Sequence, residues 1–557
     1  MQTPLPFSFL DRENTIQQLS SETFDMVIIG GGITGAGIAV DAASRGMKVA
    51  LLEKADFASG TSSKSTKLIH GGLRYLKQFD FWLVKEVGSE RAIVHKLAPH
   101  LVLPEKMLLP LIENGSYGKW LTSIGLKVYD ILAQVSGDDR RKMLEKKEAL
   151  KLEPLLPKKI LNGAGYYAEY RTDDARLTIE NIKTSLQFGA IPLNYAEVSS
   201  FIYNEEHKVS GLTFTDGISG KEHTIKTKYV VSAAGPWVDE LRSINQSKKG
   251  KRLHLTKGVH LVFPFEKLPV KQSVYFDIPD GRMMFAIPRG KVTYIGTTDT
   301  NYDADKDHVK VDLADAIYLI SAVNHMFPDI HLEMEDIVSS WAGLRPLIHE
   351  EGKSASELSR KDEIFISDTG LISIAGGKLT GYRKMAERVV NKVAKKLEED
   401  YHQTLEDCHT DKIPLCGNGF KKSKYVKKYI DEVFESIKDD GFTRHDAWFL
   451  VTTYGKQTED ILSKYAVLED EDATIRMAKA ELHFGIAHEM IVTPMDFFIR
   501  RTGRLYFDIE SVKTLLLPIL EEFTVLFSLN KEQIEAYSET LQQAIKEHSD
   551  FSMEREV

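Results

Sequence analysis

The feature that most constrains this chain is a β-α-β unit near the N-terminus that carries glycines at fixed spacing. Residues 25–29 (DMVII) are apolar and mostly branched, which predicts a buried parallel strand. A G-x-G-x-x-G pattern follows, formed by Gly30, Gly32 and Gly35. Residues 33–45 predict a helix that stops at Gly46, and the next strand, MKVALLE, ends in Glu53. This order of elements predicts a dinucleotide-binding fold.

Each part of the unit has a physical reason. Gly30 permits the tight turn, Gly32 lets the backbone approach a pyrophosphate, and Gly35 lets helix and strand pack closely. The helix N-terminus offers unpaired N–H groups and a positive dipole end to the phosphates. Glu53 can accept hydrogen bonds from ribose hydroxyls. The alternative, a glycine-rich turn in an ordinary β-α-β unit, leaves Glu53 unexplained.

Two later segments favour FAD over NAD. Residues 228–235 (KYVVSAAG) and 370–380 (GLISIAGGKLT, followed by a predicted helix over 381–396) look like the segments that return to the cofactor in large two-domain flavoproteins. Gly376 and Gly377 would bring backbone N–H groups near the flavin. The helix that follows would point its positive end at the pyrimidine ring, which stabilises the anionic reduced flavin.

Length and composition limit the other possibilities. A chain of 557 residues exceeds the roughly 250–300 that one core supports, so several domains are expected. The net charge of -9 argues against nucleic acid as the main partner. Two cysteines imply no disulfide framework, and neither a secretory signal nor an apolar run of about 18 residues occurs. The expected location is cytoplasmic, with peripheral attachment to the inner face of the cytoplasmic membrane left open.

The expected fold class is α/β, in three parts. The first is a discontinuous FAD-binding Rossmann-like domain, over 20–110, 160–240 and 360–400. An antiparallel-sheet substrate domain takes 111–159 and 241–359, because residues 251–300 alternate as meandering strands with turns at 279–281 and 289–290. A C-terminal helical domain takes 412–557, where Lys, Glu, Ala and Leu recur with helical periodicity.

Seven short motifs follow one another along the chain. After the glycine loop come SSKSTKLIHGGLRYL (62–76), AAGPW (233–237), KGVH (257–260), GTTD (296–299), GLRP (343–346) and GGKLT (376–380). In this order they resemble the FAD-dependent glycerol-3-phosphate dehydrogenase family over residues 20–400, and the helical tail fits the family layout. HGGLRYL and GGKLT are the most specific. Oxidases of the glycine-oxidase type share the glycine loop but generally lack this combination.

The resemblance implies oxidation of sn-glycerol 3-phosphate to dihydroxyacetone phosphate, with hydride transfer to flavin N5. A base must take the hydroxyl proton, and cations must hold the phosphate. The implied catalytic residues are His260 as the base, Arg345 and Lys378. The implied substrate-binding residues are Arg74, Tyr75 and Thr298. Which cation holds phosphate and which polarises the substrate hydroxyl stays open.

The resemblance also implies cofactor-binding residues beyond the glycine loop and Glu53. They are Ser62, Ser63, His70, Gly235, Gly377 and Thr380. Structural alternatives remain for several positions: Arg74 as a surface residue, Lys378 as a solvated helix start, His260 as a core histidine, and His70 as a residue that shapes the turn. No H-E-x-x-H or paired C-x-x-C occurs, so no metal site is expected.

The expected electron acceptor is a membrane quinone. One alternative is an oxidase of the same family that reduces O₂ to hydrogen peroxide, although the extra insertion that oxidases often carry is not seen. Another is a non-catalytic FAD-binding sensor, which would not need the four cationic and basic residues together. Residues 119–135 form an apolar stripe, followed by Arg140 and Arg141, that could lie on lipid or pack into the core. A homo-oligomer stays open.

Overall fold

A computed structural model describes residues 7–70, 81–113, 115, 140–349, 362–470 and 472–551. These residues form two large β-sheets and a C-terminal group of helices. The α/β class with a helical C-terminal part, as predicted, is confirmed. The predicted lipid-facing segment 119–135 lies outside the described residues.

The strands are numbered in chain order: β1 (Thr23–Ile29), β2 (Val49–Leu52), β3 (Leu68–Ile69), β4 (Leu103–Ile112), β5 (Lys142–Glu145), β6 (Leu161–Arg171), β7 (Ile191–Leu193), β8 (Ala196–Tyr203), β9 (Val209–Asp216), β10 (Glu222–Ser232), β11 (Arg252–Pro264), β12 (Ser273–Asp277), β13 (Met283–Arg289), β14 (Val292–Gly296), β15 (Thr300–Asn301), β16 (Ser339–His349), β17 (Glu363–Ile366) and β18 (Ile372–Ala375).

The α-helices are numbered the same way: α1 (Arg12–Ser21), α2 (Ile33–Ser44), α3 (Phe81–Leu97), α4 (Lys146–Leu152), α5 (Asp174–Leu186), α6 (Val238–Ile244), α7 (Leu313–Met326), α8 (Tyr382–Tyr401), α9 (Lys424–Ile437), α10 (Arg444–Tyr454), α11 (Thr458–Tyr465), α12 (Ala473–His488), α13 (Arg504–Phe507), α14 (Ile509–Phe527) and α15 (Lys531–Ser549).

The first sheet has eight strands, and its centre is parallel. Its order is β17-β18-β10-β1-β2-β7, and β9 and β8 extend it from β10. Every residue of β1 after Thr23 is buried, as its apolar run predicted. Helix α2 packs against both α5 and α8. The predicted β-α-β unit is therefore present, and Gly46, with a φ of 93°, ends its helix region.

The second sheet has ten strands and is mostly antiparallel. Its order is β15-β11-β14-β13-β12-β4-β6-β3, with β16 also paired to β11 and β5 to β6. The pairing of β12 with β4 is parallel, so the sheet is mixed. The predicted turns join β12 to β13 and β13 to β14, where Gly281 and Gly290 adopt φ values of 81° and 64°.

Three strands lie in the second sheet although the sequence assigned their residues wholly or mainly to the cofactor domain. They are β3, β4 and β6. Strand β4 pairs antiparallel with β6 from Leu103↔Arg171 to Ile112↔Leu161. Their apolar patterns predict strands, but partner choice depends on contacts about 50 residues or more away in the chain. The predicted boundaries at 110 and 160 therefore divide one sheet between two predicted domains, and the domain bounds stay a prediction.

Buried ion pairs join the helical part to the first sheet. Arg501 donates from Nη1 to Asp56 Oδ2 at 2.8 Å, and Arg500 contacts the same carboxylate. Burial raises the pKa of Asp56, but Arg501 and Arg500 outweigh it and lower the pKa to about 2. Removing one partner of such a buried pair costs about 3–5 kcal/mol. This contact fixes the loop that directly follows Glu53.

Within the described ranges, no helix is both long enough and apolar enough to cross a membrane.

Candidate active site

The glycine loop between β1 and α2 lines a cavity of about 250 Å³. Gly30 has a φ of 113°, and a Cβ there would lie 2.6 Å from the Ala233 carbonyl oxygen. A Cβ on Gly35 would lie 1.9 Å from the Gly30 carbonyl oxygen. A Cβ on Gly32 would meet Ser62 Oγ at 3.0 Å. The loop therefore has no room for a side chain at Gly30 or Gly35. At Gly32 a side chain would fit only if Ser62 moved.

Side chains hold this loop in place. Ser62 Oγ accepts the Ile33 N–H at 2.9 Å, which satisfies one of the unpaired donors at the start of α2. Glu53 accepts the Gly31 N–H at 2.7 Å and the Ala55 N–H at 3.0 Å. Burial raises the pKa of the Glu53 carboxyl. Glu53 therefore holds the loop, which is a structural role. It also lines the cavity, and its contact with a ribose stays a prediction.

The later glycines also line the first cavity. Gly235, Gly376 and Gly377 line it and have φ values of 52°, 78° and 82°. Lys378 follows and caps a 3-10 turn over Leu379–Gly381, after which α8 begins. This part of the lining therefore presents backbone and a cation, and its predicted contact with the flavin stays a prediction.

The residues of the first cavity fit FAD. The glycine loop and the start of α2 suit a pyrophosphate, and Glu53 suits a ribose. Val198, Leu241 and Ile244 add apolar surface elsewhere on the lining. The lining therefore combines a phosphate site, an acidic residue for a ribose, apolar surface and Lys378.

A second cavity, of about 170 Å³, adjoins the first. Four residues line both cavities: Thr61, Ser65, Lys378 and Leu379. Others line the second alone, among them Lys64, Thr66, His70, His260, Arg345 and Thr380. The sequence-predicted residues His260, Arg345 and Lys378 are thus brought together at one side of the cofactor cavity.

His260 lies on β11 and is only 1% exposed. Its ring stacks on Trp341 with centroids 4.7 Å apart, and Nε2 lies 3.0 Å from Thr66 Oγ1. Within the described part of the chain, Nδ1 has no hydrogen-bond partner. Burial lowers the pKa of His260 well below its usual value, and Arg345 and Lys67 lower it further. The ring is therefore neutral at physiological pH, as a base must be.

Arg345 lies on β16 with its guanidinium over Gly258 of β11. A Cβ on Gly258 would come within 2.3 Å of Nη2. Arg345 donates to the Thr298 carbonyl at 3.0 Å and to Thr297 Oγ1 at 2.9 Å, and it pairs with Asp299 at 3.4 Å. The side chain is 31% exposed, so it is both held in place and accessible from the cavity.

Other predicted residues occupy different places from those expected. Thr298 is buried and does not line either cavity, because its Oγ1 accepts from the Val259 N–H and donates to the Lys257 carbonyl. Ser63 is 1% exposed and is absent from the cavity linings as well. The structure therefore supports backbone-positioning roles for Thr298 and Ser63 more than ligand contact.

His70 and Thr380 line the second cavity, although both were predicted to bind the cofactor. Thr380 Oγ1 accepts the His70 N–H and donates to the His70 carbonyl, each at 3.2 Å. This pair of bonds fixes the backbone just before residue 71. Arg74 and Tyr75 lie outside the described residues.

Comparison with known proteins identifies the family. Residues 25–383 match the model of the FAD dependent oxidoreductases, and residues 408–534 match the C-terminal domain of alpha-glycerophosphate oxidase. The aerobic glycerol-3-phosphate dehydrogenase of Bacillus subtilis (strain 168) is 49% identical over 538 residues, which cover 96% of this chain and 97% of that protein. This chain belongs to the FAD-dependent glycerol-3-phosphate dehydrogenase family. Its cofactor is FAD, as predicted.

Two further proteins support the assignment. The aerobic glycerol-3-phosphate dehydrogenase of Staphylococcus aureus (strain MRSA252) is 47% identical, with 98% of both chains covered. The crystal structure of the glycerol-3-phosphate dehydrogenase from Bacillus halodurans, complexed with FAD, superimposes with a TM-score of 0.84 at 42% identity, and the match covers 98% of this chain and 99% of that one.

In this glycerol-3-phosphate dehydrogenase family member, sequence reasoning missed several site residues. Thr66 is the hydrogen-bond partner of His260 and lines the second cavity, and Lys64 lines the same cavity. Both lie inside the SSKSTKLIHGG motif, so the motif itself was the available signal. Gly258 and Gly296 provide the room for Arg345 and His260, and only the strand register reveals that role.

Proposed function

We propose that this protein oxidises sn-glycerol 3-phosphate to dihydroxyacetone phosphate, with FAD in the first cavity and substrate in the second. The junction of the two cavities carries the proposal, since Lys378 lines both of them and the neutral His260 and Arg345 line the second, next to the cofactor cavity. At about 170 Å³ the second cavity is smaller than typical sites for drug-sized ligands, which suits a three-carbon phosphate.

Arg345 and Lys378 provide positive charge for the phosphate and for the substrate oxygen. Arg345 can present parallel N–H donors to a phosphate, whereas Lys378 acts as a point charge at the junction of the cavities. Arg74 is predicted as a third cation and follows His70 by four residues in the sequence. Thr380 binds the backbone of His70, which lines this cavity.

His260 takes the proton of the substrate hydroxyl at Nε2, the ring nitrogen next to Thr66. When bound, FAD supplies the hydride acceptor at N5, so loss of that proton accompanies formation of the carbonyl. In the tautomer that carries its proton on Nδ1, Nε2 accepts from Thr66 Oγ1 and is the nitrogen that acts as the base. Tyr294 fixes Thr66 by donating from its hydroxyl to the Thr66 carbonyl at 3.0 Å, and the stacked Trp341 fixes the ring plane.

The proposed electron acceptor is a membrane quinone, with the enzyme at the inner face of the cytoplasmic membrane. The similarity to dehydrogenases over nearly the whole chain supports this acceptor. An oxidase that reduces O₂ is the second candidate, favoured by the match of residues 408–534 to a domain named for an oxidase.

Anaerobic titration of the purified, FAD-loaded protein tests the proposal. Glycerol 3-phosphate should bleach the flavin absorbance stoichiometrically, whereas glycerol without phosphate should not at the same concentration. Admission of a soluble quinone should restore the oxidised spectrum faster than air does. Absence of bleaching would refute the reaction, and faster reoxidation by air with peroxide release would assign the oxidase activity.

A further inference from the structure

Residues 65–67 join His260 to the ring that stacks on it. Thr66 Oγ1 lies 3.0 Å from His260 Nε2. Trp341 stacks on the imidazole with an interplanar angle of 13°, and its Nε1 donates to the Ser65 carbonyl at 3.1 Å. The position of residues 65–67 therefore sets both the hydrogen bond at Nε2 and the plane of the imidazole.

Lys67 holds these residues from inside the protein. Its side chain is 2% exposed and is absent from the described linings of the first and second cavities. Nζ donates to the Ser63 carbonyl at 3.0 Å and is bound to Asp174 Oδ1. Asp174, the first residue of α5, also accepts the Ser65 N–H at Oδ2, at 3.0 Å. One buried carboxylate thus holds the first and the last of the three residues.

The backbone of Lys67 indicates that its surroundings impose its position. Its φ is 57°, in the left-handed region that residues with a Cβ seldom adopt. Such conformations persist where surrounding contacts fix them, and they concentrate at functional sites. The Lys67 N–H donates to Ser65 Oγ at 3.0 Å, and the Lys67 carbonyl accepts the Thr172 N–H at 2.9 Å. Backbone bonds and an ion pair together hold this conformation.

Lys67 contributes charge as well as position. Its Nζ lies 5.9 Å from the centroid of the Trp341 ring, which stacks on His260. The pKa of His260 is lowered first by burial, then by Arg345, and then by Lys67. Loss of the Lys67 charge should therefore raise the pKa of His260.

The titratable groups near these two side chains come from several elements. Around His260 they are Arg345 of β16, Tyr294 of β14 and the cavity cations Lys64 and Lys378; around Lys67 they are Asp173 and Asp174 of α5, Arg289 of β13 and Tyr506 of α13. Asp173 Oδ2 is 3.7 Å from Lys67 Nζ and also pairs with Arg289 at 3.2 Å. Without Lys67, one cation would be missing and Asp174 would lose its counter-ion, and both changes favour a protonated imidazole.

We propose that Lys67 is a positioning residue for His260. Through Asp174 it holds residues 65–67, which place Thr66 at the Nε2 edge of the imidazole and Trp341 on its face. Its charge also helps to keep the imidazole neutral until the substrate hydroxyl gives up its proton. The inference rests on the proposed role of His260 as the base.

The pH dependence of flavin reduction in the FAD-loaded enzyme tests this inference. Lys67→Gln removes the charge and keeps a polar side chain, whereas Lys67→Arg keeps the charge. Lys183→Gln is the matched control, because Lys183 is a buried lysine that pairs with Glu489 at 2.9 Å and lies 4.7 Å from the ring centroid of Phe484. For each protein, the second-order rate constant of anaerobic flavin reduction by glycerol 3-phosphate is measured against pH, beside FAD content and thermal unfolding.

The acid limb of this profile should move to higher pH in Lys67→Gln, by about half a pH unit or more. Above the limb, this variant should still reduce its flavin several-fold more slowly than the parent, because the imidazole is less well placed. Lys67→Arg should keep the limb of the parent. Lys183→Gln should unfold at a lower temperature without moving the limb. If Lys67→Gln fails to fold, Lys67→Gln with Asp174→Asn leaves neither charge unpaired, and its limb should also lie above that of the parent.

A folded, FAD-loaded Lys67→Gln enzyme with the limb and the rate of the parent would overturn the inference. An equal shift of the limb in Lys183→Gln would also overturn it, since the shift would then reflect a general loss of stability. A shifted limb in Lys67→Arg would overturn the role of the charge. A parent enzyme that glycerol 3-phosphate does not reduce would instead refute the proposed function, and this inference with it.

Discussion

The position of Gly258 under Arg345 allows the substrate-binding role of Arg345 to be tested without removing the arginine. In Gly258→Ala, the new Cβ would lie 2.3 Å from Nη2 and 2.6 Å from both Cζ and Nη1. These atoms are the end of a flexible side chain, so the guanidinium moves while the strand stays. The fold should lose only the contacts of a partly exposed arginine, including those with Thr297 and Thr298, worth about 0–1 kcal/mol.

The effect on activity should be much larger than the effect on stability. A hydrogen bond to a charged group contributes about 1.5–3 kcal/mol, which corresponds to about 10- to 150-fold in kcat/KM. The assay is the rate of flavin reduction by glycerol 3-phosphate in an anaerobic stopped-flow instrument, with the FAD content of each preparation measured beside it. We expect Gly258→Ala to retain FAD and to lose activity in this range.

A double-mutant cycle separates this explanation from a general distortion of β11. If Gly258→Ala acts only through Arg345, it should cost little more in an Arg345→Ala background. Full additivity of the two substitutions would show that the glycine matters for another reason. A Gly258→Ala enzyme within two-fold of the parent would refute the placement of Arg345 in substrate binding.

Three further results are expected. His260→Ala should slow flavin reduction about 10²–10⁴-fold at unchanged FAD content. In the parent, the acid limb of the pH profile of kcat/KM should lie below pH 6.5, because burial lowers the pKa of His260. An acid limb above that pH would contradict the role of His260 as the base. Burial also lowers the pKa values of His100 and His548 to about 4, so below pH 6.5 the unfolded chain binds protons that the native state does not. Each histidine should therefore reduce the free energy of unfolding by up to about 1.4 kcal/mol for each pH unit below 6.5. Urea unfolding at pH 7 and below pH 6 measures this loss. Gly35→Ala should purify without flavin, because its Cβ would lie 1.9 Å from the Gly30 carbonyl oxygen, whereas Glu53→Ala should lose only part of its flavin. A full flavin-to-protein ratio in Gly35→Ala would contradict the loop geometry.

Features set by local sequence were predictable. The β-α-β unit depends on neighbouring residues, and the structure has β1, α2 and β2 with their glycine loop where the pattern predicted them. The turns at Gly281 and Gly290 are likewise local, because each needs a residue that accepts a positive φ. FAD followed from the same loop together with the later glycine segments.

Features set by distant pairing were not predictable in the same way. Strands β4 and β6 have the composition of strands, but their sequences do not specify the sheet that they join. Thr298 carries a hydroxyl in a site motif, yet the backbone of β11 uses that hydroxyl. The partnership of Thr66 with His260 joins residues 194 positions apart, which no spacing rule within one segment can reveal.

The register of β11 explains why two of the family motifs, KGVH and GTTD, contain glycine. His260 pairs with Gly296, where a Cβ would lie 2.2 Å from the imidazole Cδ2, and Gly258 pairs with Gly343 while lying under Arg345. KGVH, GTTD and GLRP therefore act as one unit. In KGVH and GTTD a glycine leaves room for a functional side chain on another strand, whereas a Cβ on Gly343 of GLRP would lie 2.5 Å from the Lys64 carbonyl oxygen. Since side chains alternate between the faces of a sheet, a slip of one residue in β11 would remove every one of these matches at once. The motifs thus specify the sheet register as well as the chemistry of the site.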